Sequence, residues 1–382
     1  MDFYLSDISA EPYKITVPEK IPTPRLLVFR ERLERNIGTM KQLLQSAWPG
    51  FPMSSLWPHV KTHKSAWVTQ KLKNAGVQTF KATPQEVDML LQAGVKKIFI
   101  AYPLLAHEAQ RLARLAGENP GTKFFVQVSH RRHAEYLLSA ARQYGVSWHF
   151  FIDLDVGMHR TGIQPQDAVS FYNSLPQTDC LQFAGLHAYD GHNHATSKRE
   201  RKAEAKRCMG LLVDAVRQLE KITFSIPRVV VGGTPSFTAD LEYLSKVNLE
   251  AEVVASPGTW VYFDTTSRRM MPGTFEYAAC ILTQVMDRID KQTVTLNIGH
   301  KRWAVDQGPV ESFSIAGMKA LRWSEEHTVV SVPAGKKLDV GDYVLVAPRH
   351  VCSTVNLWEF VTVIGPDGRR EISELPVDAR NR

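Results

Sequence analysis

Trp57-Pro58-His59-Val60-Lys61-Thr62-His63-Lys64 follows a short apolar run and sets a lysine where a strand should end. Outward from it, β-rich runs alternate with amphipathic stretches as far as about residue 260. Strands are expected at Ser55–Val60, Thr79–Ala82, Lys97–Tyr102, Lys123–Val128, Trp148–Leu154, Phe183–Tyr189, Arg228–Val231 and Ala251–Ala255. Helical patterns fall between them, among them Pro84–Ala93, Ala106–Ala116, Arg132–Tyr144 and Lys198–Leu219. This alternation implies βα units around a parallel sheet, and eight units are what a (β/α)8 barrel requires. Thr83-Pro84-Gln85-Glu86 fits a capping box with proline at the first helical position.

After about residue 265 strand-like runs follow one another: Ala278–Asp287, Thr293–Ile298, His327–Val332, Tyr343–Ala347 and Phe360–Ile364. The expected architecture is therefore α/β, a TIM-type barrel over residues 1–264 followed by an all-β domain over 265–382. The strand-like Arg25–Phe29 can pair with either part.

Composition narrows the function. With 44% hydrophobic and 22% charged residues, 382 residues form a sizeable core, and no apolar run is long enough to span a bilayer. An acid at Asp2 and the lack of a basic-then-apolar start predict a cytoplasmic protein without membrane partners. Cys180, Cys208, Cys280 and Cys352 form no CxxC pair, which excludes a zinc finger or thioredoxin motif; at least three are expected to be buried. The net charge of +7 invites a nucleic-acid reading, but the densest basic run, Lys198–Arg207, is interleaved with Glu200 and Glu204. It reads as a solvated helix face with i,i+4 charge pairs, so no nucleic-acid partner is expected.

The candidate chemistry lies at the predicted strand ends, where barrel active sites sit. Lys61 can form a Schiff base with an aldehyde cofactor, and His59, two residues earlier, shares its face. Arg160, in the turn after Trp148–Leu154, can bind an anion or pair with Asp153 or Asp155. His187, Tyr189, His192 and His194 crowd one strand end. His187 and Tyr189 suit a planar ring, and His192 or His194 suits a metal ligand or general base. Gly232-Gly233-Thr234 and Gly258-Thr259 end the last two barrel strands, the usual phosphate site of this architecture. His350-Val351-Cys352, read as a strand, offers imidazole and thiolate to one metal, with zinc favoured on softness.

Pro58-His59-x-Lys61-Thr62, Gly157-x-x-Arg160-Thr161-Gly162, Ala188-Tyr189-Asp190-Gly191-His192, Gly232-Gly233-Thr234-Pro235-Ser236, Ser324-Glu325-Glu326-His327 and His350-x-Cys352 occur in this order. As a set they resemble the D-threonine aldolase/D-serine dehydratase family, the metal-activated, alanine-racemase-like enzymes that use pyridoxal 5'-phosphate (PLP). The resemblance implies a PLP-binding barrel, a C-terminal β-domain and a homodimer. Lys61 would carry PLP, with Arg160 at its phenolic oxygen and Tyr189, beside His187, lining the ring. Gly232, Gly233, Thr234, Gly258 and Thr259 would hold the phosphate. His350 and Cys352 would bind a divalent metal (zinc, or manganese or magnesium), and His59 or His192 would transfer the proton. Trp57 departs from the family's usual arginine, and His187 from its frequent glutamine.

The implied substrates are small D-β-hydroxy amino acids. Ala188–His192 and Thr354-Val355-Asn356-Leu357 lean towards retro-aldol cleavage to glycine and an aldehyde. His350-x-Cys352 leans towards a D-serine, D-threonine or 3-hydroxyaspartate dehydratase that releases a 2-oxo acid and ammonia. A PLP carrier without turnover fits the barrel alone. A racemase needs a second base facing Lys61, which the sequence does not identify.

Overall fold

The computed structural model describes residues 1–5, 11–223 and 225–380. The chain packs as two units, one built from Lys41–Lys61 and Ala66–Gly258, the other from Met1–Met40, Thr62–Ser65 and Thr259–Arg382.

The first unit is a parallel barrel. Phe80–Ala82, Lys97–Pro103, Lys123–Val128, Trp148–Leu154, Leu181–Ala188, Arg228–Val231 and Glu252–Ala255 pair in sequence order, each parallel to the next. Helices such as Ala106–Glu118, Arg131–Tyr144 and Lys198–Leu219 connect them. The expected strand Ser55–Val60 is not regular. Met53–Ser55 and Val60–Thr62 are 3-10 turns, and Leu56 and His59 make only single bridges, to Ala255 and Lys81. Pro58 has no N–H to give a ladder, but its carbonyl accepts from Lys81 N at 3.0 Å, and Trp57 N donates to Ala255 O at 2.7 Å. The segment thus bridges the first and last strands although it is not one itself.

One inward position from each of the last six strands, together with Trp57 of the joining segment, fills the interior. Trp57, Phe99, Phe125, Phe151, Ala184, Val230 and Val254 form a single buried cluster, the side-chain layer that fills such a barrel. Two residues further along, the same face carries His59, Gln127, Asp153 and Ser256, all buried. An apolar floor thus lies under a polar layer at the strands' C-terminal ends.

The helix Lys198–Leu219 runs as expected, but its charges pair differently. Lys202 reaches Glu242, Arg207 grips Glu204 at i,i+3, and Arg201 is buried, donating to the carbonyls of Ala195 and Thr196. The i,i+4 ladder expected there is replaced by one i,i+3 pair and by contacts off the helix.

The second unit is β-rich. Arg25–Phe29 lies between Ala279–Arg288, antiparallel to it, and Phe360–Ile364, parallel to it. Tyr343–Ala347 pairs with Ala279–Arg288 as well. Thr293–Leu296 and Thr328–Ser331 extend the sheet, and Lys319–Trp323 and Arg370–Pro376 form its ends. Among the described residues no helix is long and apolar enough to cross a membrane.

Candidate active site

In the barrel unit Lys61 sits in the 3-10 turn Val60–Thr62, half-buried, just past the segment that joins the first and last strands. His59 is buried and its Nδ1 accepts from the Lys61 backbone N at 3.3 Å, so the imidazole fixes the turn that presents the lysine. Arg160 is exposed, with its guanidinium 5.2 Å from the centroid of the Tyr189 ring. The expected alternative, an ion pair with Asp153 or Asp155, is not made. Asp153 accepts from Thr161 Oγ1 at 2.8 Å and meets His187 Nδ1 at 2.7 Å, while Asp155 caps the turn through Gly157 N, His159 N and His159 Nδ1. Tyr189 stands just beyond its strand. Gly191 is required beside it, because a Cβ there would lie 2.1 Å from Tyr189 Cε1.

His187 is buried and burial pushes its pKa down to about 4, with the Lys81 charge adding to the effect. The imidazole is therefore neutral at physiological pH. Its other nitrogen, Nε2, lies 3.0 Å from Lys81 Nζ, and Lys81 also donates to Ser256 Oγ at 3.0 Å. Sequence reading missed Lys81, a lysine in a three-residue strand with nothing in its spacing to mark it.

Gly232, Gly233 and Thr234 follow Arg228–Val231 and lead into the helix Phe237–Leu244, all three buried. Gly233 N already donates to Ser236 Oγ at 3.2 Å. Asp240, in the first turn of that helix, is fully buried, and burial raises its pKa well above the carboxylate range. Burial, with the Asp190 charge adding to it, thus favours the uncharged carboxyl and lessens like-charge repulsion towards an anion at the turn. Gly258 and Thr259 follow the last strand, Glu252–Ala255.

His192 does not present a free Nε2. That atom lies 2.7 Å from Glu204 Oε1 and 3.8 Å from Cys208 Sγ. The three ligand atoms fall within 4.8 Å of one another, but Arg207 donates to Glu204 Oε1 at 2.6 Å and fills the same place with positive charge. His194 is exposed.

In the β-rich unit His350 and Cys352 are not on a strand. Pro348 follows the end of Tyr343–Ala347, and His350 is the residue just before the short helix Val351–Val355. Asp264 accepts from Val351 N at 3.0 Å and so pins the start of that helix. His350 Nδ1 lies 2.5 Å from Asp306 Oδ2, which orients the ring beside Cys352. Burial works against a charge on His350, but Cys352 and Asp306 beside it outweigh burial and raise its pKa to about 9. The thiol of Cys352 lies 3.2 Å from Thr62 Oγ1 and 3.7 Å from Thr259 Oγ1. An imidazole, a thiol and a carboxylate behind the imidazole are the donor set of a borderline-soft divalent ion. Cys208 and Cys280 are buried, whereas Cys180 and Cys352 are partly exposed, so two cysteines rather than three are interior.

Set against known proteins, residues 28–265 match the family described as alanine racemase, N-terminal domain, and residues 278–364 match a putative serine dehydratase domain. The chain is 27% identical over 373 residues to the 3-hydroxy-D-aspartate aldolase of Paracoccus denitrificans (strain Pd 1222), covering 95% of this chain and 93% of that protein. It is 20% identical over 392 residues to the D-serine dehydratase of Dictyostelium discoideum, covering 91% and 94%. The crystal structure of D-threonine aldolase from Filomicrobium marinum superposes with a TM-score of 0.85 at 26% identity, covering 94% of this chain and 96% of that one.

Proposed function

The chain belongs to the alanine racemase N-terminal domain family, and on that premise we propose that it is a PLP- and divalent-metal-dependent lyase of D-β-hydroxy amino acids that works as an aldolase. The Cα–Cβ bond breaks, the β-hydroxyl proton passes to a base, Cα takes up a proton, and glycine and an aldehyde leave. The barrel part, residues 1–264, would hold PLP, and residues 265–382 would carry the metal pair. When bound, PLP supplies an electron sink for the charge left at Cα, and the metal a Lewis acid for the β-hydroxyl.

The residues fit both groups. The barrel offers an amine at Lys61, a cation on a flat ring at Arg160 and Tyr189, and a glycine turn before a helix at 232–237, which suit in turn an aldehyde, an aromatic ring and a phosphate. Gln127 Oε1, buried in the polar layer, has no hydrogen-bond partner and is a further acceptor to be met. His59 is the better base of the two candidates, since Glu204 engages His192 Nε2. The observation that carries the lyase reading is the His350–Cys352 pair with Asp306 behind it, because neither a PLP carrier nor a racemase has use for a metal on the second unit.

The dehydratase reading keeps one specific support, the match of residues 278–364 to a putative serine dehydratase domain. The higher identity to an aldolase than to a dehydratase favours cleavage. The protein supplied with PLP, a divalent metal and D-threonine should yield glycine and acetaldehyde. Formation of 2-oxobutanoate and ammonia instead would establish the dehydratase. Neither product, from D-threonine or from D-3-hydroxyaspartate, would overturn the lyase reading.

A further inference from the structure

Lys81 is a buried charged side chain of the barrel. It is 4% exposed, points inward from Phe80–Ala82, and its amine is held at 3.0 Å by both His187 Nε2 and Ser256 Oγ. A buried lysine costs stability unless its charge or its hydrogen bonds are used. The partners of this one are fixed in their turn. Asp153 takes His187 Nδ1, so that Nε2 is left as an acceptor, and Ser256 Oγ donates to Val231 O at 3.2 Å and so accepts from Lys81. Two of the N–H groups are thereby committed, and an ammonium has a third.

The surroundings say what that third group faces. Lys81 Nζ lies 5.2 Å from the centroid of the Tyr189 ring, the same distance at which Arg160 approaches that ring. Lys61 and Arg160 are near enough for their charges, added to burial, to bring the Lys81 pKa down to about 7. Two cationic side chains, Lys81 and Arg160, therefore meet one aromatic ring, with the Lys61 charge close to Lys81. A flat heteroaromatic ring placed on Tyr189 would find two donors at its edge, and PLP has two edge acceptors, the phenolic oxygen and the ring nitrogen. Protonating the ring nitrogen would add a further positive charge beside Lys81 and Arg160.

We infer that Lys81 is a cofactor-contacting residue: its amine, fixed between His187 and Ser256, donates a hydrogen bond to the ring nitrogen of PLP and keeps that nitrogen unprotonated. The inference rests on the PLP reading above and adds a contact to it.

The test uses holoenzyme reconstituted with PLP carrying nitrogen-15 at the ring nitrogen, for wild type, Lys81→Met and Lys81→Arg. The wild-type resonance should lie at the position of an unprotonated, hydrogen-bonded pyridine. Lys81→Met should move it and weaken PLP binding about tenfold, the scale of one buried hydrogen bond, and Lys81→Arg should restore most of the shift. The same resonance in wild type and Lys81→Met would overturn the inference. Where Lys81→Met fails to fold, Ser256→Ala is read in its place, and an unmoved resonance there has the same meaning. Borohydride reduction of wild type followed by peptide mapping separates the two readings. An adduct on Lys61 sustains the PLP reading whatever the resonance shows. An adduct on Lys81 overturns the contact role, and no adduct with no visible absorbance overturns the PLP reading itself.

Discussion

At the scale of single residues, the proposed metal pair leans on a carboxylate that makes no motif. Asp306 holds His350 Nδ1, and Ser353 Oγ donates to the same carboxylate at 3.2 Å. Removing such an orienting partner typically weakens metal binding about 10–100-fold. Asp306→Ala should therefore retain the visible absorbance of lysine-bound PLP while its metal content after dialysis, measured by mass spectrometry, falls by that factor. Unchanged metal retention would show that His350 does not bind metal through the ring Asp306 orients. Cys352→Ala goes further, because it removes a ligand. Its PLP absorbance should persist and its activity should drop at least as far, whereas Lys61→Ala should lose the absorbance. Full activity of Cys352→Ala in the presence of a chelator would rule out metal assistance.

At the scale of elements, the loop that carries Arg160 is held shut by backbone. Asp155 N donates to Ile163 O at 2.8 Å and Ile163 N to Asp153 O at 2.9 Å. Gly162, at φ +109, lies so close that a Cβ would stand 2.5 Å from Asp155 N. A side chain there must open the loop, so Gly162→Ala should cost about 1–3 kcal/mol and weaken PLP through the displaced Arg160. Urea unfolding together with a PLP titration checks both, and an unshifted midpoint would show that the loop yields without cost. The same scale explains what the sequence disclosed. Lys123–Val128, Trp148–Leu154 and Lys198–Leu219 have the expected bounds because the first two are largely apolar runs and the third a long charged stretch with an apolar face, each ending at a loop or a cap. Leu56–His59 misled because the hydrophobic run is genuine but Pro58 denies it a ladder, so its pairing depends on strands far along the chain. His350-x-Cys352 was legible as a pair and not as a helix start, since the pinning by Asp264 is a tertiary contact. Lys81 and Asp306 were not legible at all, because what distinguishes each is a neighbour brought up by folding.

At the scale of the whole molecule, each unit buries a neutral imidazole, and this sets a pH dependence of stability. His63 in the β-rich unit is fully buried, accepts from Ser65 N at 3.1 Å, and is pushed by burial down to about 3. His187 in the barrel is pushed down to about 4. Both values lie below the ordinary 6.5, so in the acid range the unfolded chain binds the proton first. Stability is therefore full above about pH 6.5 and falls as the pH drops towards these depressed values, below which both states are protonated. Each group contributes a slope of up to about 1.4 kcal/mol per pH unit within that window. His63→Phe removes one titrating group and keeps a ring against Tyr262, whose ring centroid lies 6.3 Å from that of His63. The urea midpoint of wild type should decline from pH 6.5 to about 4.5, and that of His63→Phe should decline less steeply, even where the lost Ser65 bond lowers it throughout. Parallel profiles for the two proteins would mean that His63 is already charged in the fold, and the acid sensitivity would then have to arise from the barrel unit.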